Sequence, residues 1–73
     1  MGADLELTVE YDKEEDGRWI AEVMELPGVL AYGPTREEAF RKAQALALRV
    51  LAERLEHGES LPTWVNLSFA EAA

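Results

Sequence analysis

Apolar and polar residues alternate near the start of the chain, with Leu5, Leu7, Val9 and Tyr11 set against Glu6, Thr8 and Glu10. A period of two predicts a strand with one buried face. The charged run over residues 12–17 follows and ends in Asp16-Gly17, a hairpin signal. Residues 18–24 predict a second strand. Trp19, Ala21 and Val23 share one of its faces, and Arg18, Ile20, Glu22 and Met24 form a mixed second face. Pro27-Gly28 predicts a turn, because Pro presets φ and Gly accepts φ > 0. Residues 29–32 then predict a short third strand, closed by Gly33-Pro34. Short loops between three strands predict an antiparallel meander.

The period changes at Thr35. This residue is a natural N-cap, and Glu38 three positions later completes a capping-box pattern. Glu37 and Glu38 also suit the positive end of a helix dipole. The helix is expected to run to about His57, with Gly58 as the residue that ends it. Pro62 prevents simple continuation. Beyond it, Val65, Leu67 and Phe69 alternate with Asn66 and Ser68, which predicts a short fourth strand. Residues 71–73 are expected to fray. The fold expected is therefore α+β, one domain over residues 1–73. It has a three-stranded antiparallel sheet, one long helix on one face, and a short C-terminal strand (β-β-β-α-β).

The helix is apolar over a wide arc. Ala39, Phe40, Ala43, Leu46, Ala47 and Val50 form the stripe that suits packing on a sheet. Leu48, Leu51 and Leu55 widen the arc to one side, and Lys42, Arg49, Glu53 and Glu56 hold the opposite face. Either the C-terminal strand covers the extra leucines, or they stand exposed, or they meet another subunit or partner. Leu48, Leu51 and Leu55, together with Trp64 at the start of the last strand, are the candidate interface residues. An aromatic at a strand end suits an interface rim.

Composition narrows the classes. A chain of 73 residues buries only a modest core. It has no cysteine, so no disulfide supports that core, and oligomerisation is the common remaining support. Apolar residues make up 48%, too many for a disordered chain. No apolar run approaches the ~20 residues that span a membrane. The first six residues carry neither a basic segment nor an apolar core, so a signal peptide is not expected and a cytoplasmic location is. Fifteen acidic against seven basic residues give a net charge of −8. Such a surface repels phosphate backbones and attracts a basic partner, so direct nucleic-acid binding is not expected. Solubility alone also accounts for that acidity.

Catalytic or metal chemistry finds little in the sequence. His57 is the only histidine, and at a helix C-terminus it suits a carbonyl-facing donor. It has no His or Cys partner for the usual metal ligand sets. Glu14, Glu15 and Asp16 match no calcium-loop spacing and read as a solvated hairpin tip. Ser60 and Ser68 lie in no nucleophile motif, and the five glycines form no phosphate loop. No catalytic, metal-binding or cofactor-binding residue is expected, and the protein is expected not to be an enzyme.

One arrangement of these motifs resembles a known family. Tyr11 ends the first strand, Asp16-Gly17 closes an acidic hairpin, and Trp19 leads the next strand. Leu26-Pro27-Gly28, Gly33, the Thr35 cap and Glu37-Glu38-Ala39 follow, then Gly58-Glu59-Ser60-Leu61-Pro62 after the helix. In order and spacing this resembles the N-terminal domain of HicB-type antitoxins. Met24 departs from it, where relatives commonly carry Pro, and so does Val29, where many carry Cys. Both positions concern packing.

The resemblance implies a partial ribonuclease-H-like fold without nuclease activity. It also implies that the chain neutralises a small basic HicA-like toxin that cleaves mRNA. Many family members carry a second, DNA-binding domain, and no such basic segment stands in these 73 residues, so a stand-alone HicB-like domain is expected. The expected partners are a HicA-like toxin and further copies of the chain, as a homo-oligomer (dimer or larger). The alternative is an orphan HicB-like oligomeric binding module with no toxin partner.

Overall fold

The computed structural model describes residues 2–72. Its elements are β1 (Gly2–Lys13), β2 (Trp19–Val23), β3 (Leu30–Gly33), α1 (Arg36–Glu56) and β4 (Trp64–Glu71). The strands form one sheet in the order β3-β2-β1-β4. The pairs β1–β2 and β2–β3 are antiparallel, and β1–β4 is parallel, so the sheet is mixed.

The α+β class and the order of elements agree with the sequence reading. The C-terminal strand differs from it. β4 has eight residues and is a full fourth member of the sheet. The cause is a shared face. The register pairs Leu5 with Leu67 and Leu7 with Phe69, which sets two apolar rows side by side. β1 is also longer than expected, because its two halves have different partners. Residues 2–9 pair with β4, and Val9–Lys13 pairs with β2. The chain end differs as well. Glu71 lies within β4, and the Ala72 N–H donates to the Val9 carbonyl at 2.8 Å. Those two residues are bonded rather than frayed, and Ala73 lies outside the described residues.

Local chemistry sets the turns. Gly17 takes φ +91° in the first hairpin, where its N–H donates to the Glu14 carbonyl. The Val29 N–H donates to the Leu26 carbonyl across Pro27-Gly28, and Gly28 has φ +84°. Pro at the second position and a positive φ at the third fit a type II turn. Leu26 and Val29, on either side of it, are buried.

The helix ends are capped on both sides. The Thr35 hydroxyl accepts from the Glu38 N–H at 3.1 Å. At the other end the Gly58 N–H donates to Leu55 and the Glu59 N–H to Arg54. Gly58 has φ +100°, and this pair of bonds is a Schellman motif. The His57 ring nitrogen Nδ1 lies 2.8 Å from the Glu53 carbonyl, the donor role expected of it.

The core lies between α1 and the sheet. Leu7, Val9, Ala21 and Val23 face Ala39, Ala43 and Ala47, all fully buried. Three alanines four residues apart give the helix a smooth line and let it approach the strands closely. Gly33 shows how closely, since a Cβ there would stand 2.6 Å from the Ala39 nitrogen. Phe40 and Phe69 meet edge to face with centroids 6.1 Å apart.

Candidate interaction surface

The helix lies chiefly over β2 and β3, so the β1–β4 half of the sheet extends beyond it. An apolar groove of about 270 Å³ opens there. Leu48, Leu51 and Leu55 line it from the helix, Leu5, Val65 and Leu67 from the sheet, and Leu61 from the connecting segment. Leu48, Leu55 and Leu61 are each about half exposed, at 46%, 49% and 49%. The C-terminal strand therefore flanks the extra leucines of the helix without covering them.

Three of the four candidate interface residues converge on this groove. Trp64 does not. Strand alternation puts it on the opposite face of the sheet, where its ring fills the space a side chain at residue 2 would need. It is 55% exposed. The sequence reading missed Leu5, Leu61, Val65 and Leu67 as members of the groove. The alternation of β1 and β4 marks three of them as inward-facing, but only the pairing of those strands shows that the helix leaves them open. Leu61 sits between Ser60 and Pro62 with no periodicity to flag it.

The second surface is the face of the sheet away from the helix. Alternation along β1 and β2 places Asp4, Glu6, Glu10, Asp12 and Glu22 there. No strand residue on that face is Lys or Arg. Leu30 and Tyr32 of β3 share it and are exposed, and the Arg18 guanidinium lies 4.7 Å from the Tyr32 ring centroid. The face is thus acidic over β1 and β2 and partly apolar at the β3 edge.

Several side chains brace these surfaces. The Glu25 carboxylate accepts the Thr8 N–H at 2.7 Å, and this bond holds it below the usual carboxylate range. Asp16 is likewise lowered, first by the Arg18 backbone N–H and also by the Arg18 side chain. The Tyr11 hydroxyl donates to Glu71, and the Arg36 guanidinium lies 4.2 Å from the Tyr11 ring centroid. Burial, then Glu71, push the Tyr11 hydroxyl up to about 12. Asp16 and Arg18 at the hairpin tip bond each other, so that acidic cluster is partly neutralised from within.

Among the described residues no three His, Cys, Asp or Glu side chains gather as metal ligands would, and no helix is long and apolar enough to cross a membrane. The arrangement offers an apolar groove and an acidic sheet face, two surfaces suited to protein contacts. No protein-family model matches the chain, and neither a curated protein nor a solved structure matches it.

Proposed function

We propose that this chain is a non-enzymatic HicB-like domain that self-associates, binds a small basic HicA-like toxin and blocks its mRNA-cleaving site. The observation that carries the proposal is the acidic sheet face, where five carboxylates stand on adjacent strands with no strand Lys or Arg among them. A basic protein is the partner such a face attracts, and steering by opposite charge speeds the encounter. The motifs behind the family resemblance also support the reading. The Gly17 turn, the Leu26-Pro27-Gly28 turn, the Thr35 cap and the Gly58 helix stop on which the resemblance rests all form as turns and caps in this chain. The finer fold assignment, a partial ribonuclease-H-like HicB fold, belongs to the same proposal, and the sheet with one helix on one face supports it. A cytoplasmic location follows from a partner that cleaves mRNA.

The test is association with a catalytically inactive HicA-like toxin, followed by stopped flow. The on-rate should fall as salt rises, because steering is screened over ~10 Å at 0.1 M ionic strength. Reversing Glu10 and Glu22 to Lys should slow association, with a smaller effect on dissociation. If no complex forms at low salt, that partner is wrong. A gene neighbourhood without a small basic toxin would then favour the orphan binding module.

A further inference from the structure

We infer that a second copy of this chain docks on the outer edge of β4, pairing β4 to β4 antiparallel across a twofold axis. This deepens the self-association part of the reading above and rests on it. The argument starts from the edges. An unpaired strand edge offers free N–H and C=O groups, and proteins normally protect such edges. β3 is protected by its four-residue length and by Pro34 just beyond it. The first half of β1 is flanked on its inner side by Glu25, which takes the Thr8 N–H, and carries Asp4 and Glu6. β4 has none of these devices. Its eight residues contain no Pro, Gly, Lys or Arg, and Glu71 is its only charge.

The hydrogen-bond pattern shows what that edge presents. The Ala72 N–H bonds inward to Val9, so by alternation the even-numbered residues of β4 bond to β1. Val65, Leu67, Phe69 and Glu71 therefore aim their backbone N–H and C=O groups outward. The same edge borders the apolar groove, since Val65 and Leu67 line it.

Charge and symmetry select the occupant. The chain carries −8, so most ways of apposing two copies bring like charges together. The groove lining is wholly uncharged and continuous with a nearly uncharged strand, which suits a second copy. A twofold axis perpendicular to the sheet keeps both helices on one side and turns the two grooves toward each other. Leu48, Leu55, Leu61 and Leu67 keep 46%, 49%, 49% and 38% of their surface exposed along this strip, and edge pairing brings the strips of the two copies together. Each chain has one β4 edge, so the assembly closes at two copies.

Sedimentation equilibrium and single-cysteine cross-linking test this. The unaltered protein should be a dimer at micromolar concentration. Leu67→Lys should weaken the dimer about tenfold or more while circular dichroism shows a folded chain, because it sets a charge at the joined edge. Ser68→Cys leaves the groove intact, and the chain has no other cysteine. Copies carrying it should cross-link with a short bis-maleimide, and copies carrying Glu15→Cys at the hairpin tip should not. A dimer that fails to cross-link through Ser68→Cys, or that cross-links through Glu15→Cys instead, overturns edge pairing and leaves self-association standing. A monomer at high concentration overturns both. Toxin binding is read separately by the kinetics above, so its failure would not be mistaken for either.

Discussion

The Tyr11 hydroxyl donates a 2.5 Å hydrogen bond to the Glu71 carboxylate, joining residues 60 apart in sequence. The bond ties the end of β4 to β1, and Arg36 from the first turn of α1 lies against the same ring. Three elements meet there, and the bond holds Glu71 at the end of β4 against β1. The Tyr11 pKa is raised from 10 to about 12, first by burial and then by Glu71. A raised folded-state value means that the stabilisation is complete below the unfolded value, ~10, and is lost as pH rises through about 12. Urea melts should therefore show stability falling between pH 10 and 12. Tyr11→Phe should cost about 1 kcal/mol at pH 7 and flatten that fall. An unchanged alkaline loss in the variant would assign it to other groups.

Thr35 caps α1 through its hydroxyl. Thr35→Ala should destabilise the fold by about 1 kcal/mol, read as a lower denaturant midpoint with unchanged slope. Thr35→Ser should retain most of the stability, because it keeps the accepting oxygen.

Gly33 touches the first turn of the helix. A methyl group there meets the Ala39 backbone at 2.6 Å, and backbone cannot rotate aside as a flexible side chain does. Gly33→Ala should cost about 1–3 kcal/mol in thermal or denaturant melts. Gly17→Ala lies in open space, so it should show only the smaller cost of a positive φ.

The contrast between Thr35 and β4 explains what could be read from the chain. Thr35, Glu38 and Gly58 act within a few residues, so the helix and its ends were legible to within one position. The same holds for Pro27-Gly28 and Asp16-Gly17. The parallel pairing of β1 with β4 joins Leu5 to Leu67, and no local pattern encodes a contact over 62 residues. The length of β4 and the order at Glu71 went unread for the same reason. The extra leucines of the helix were visible as a wide arc. Their grouping with Leu5 and Leu67 depends on where the helix lies across the sheet, which is a matter of packing. Trp64 stands two residues before Asn66, so the alternation of β4 sets it with the polar residues and apart from the leucines.

Salt should move the two associations in opposite directions. Raising ionic strength screens repulsion between two −8 chains and strengthens apolar contact, so the self-dimer should tighten. The complex with a basic toxin should weaken over the same range. Sedimentation of each sample at low and high salt checks both. A self-dimer that dissociates as salt rises would point to an ionic interface in place of the groove.

Neutralisation is the central claim, and growth reads it directly. A HicA-like toxin expressed alone from an inducible promoter should arrest the culture, and co-expression of this chain should restore growth. Reversing Glu10 and Glu22 to Lys on the acidic face should reduce the rescue, while Lys42→Glu on the far side of the helix should not. Persistent arrest in the presence of abundant, soluble, folded protein would contradict the antitoxin reading for that pair.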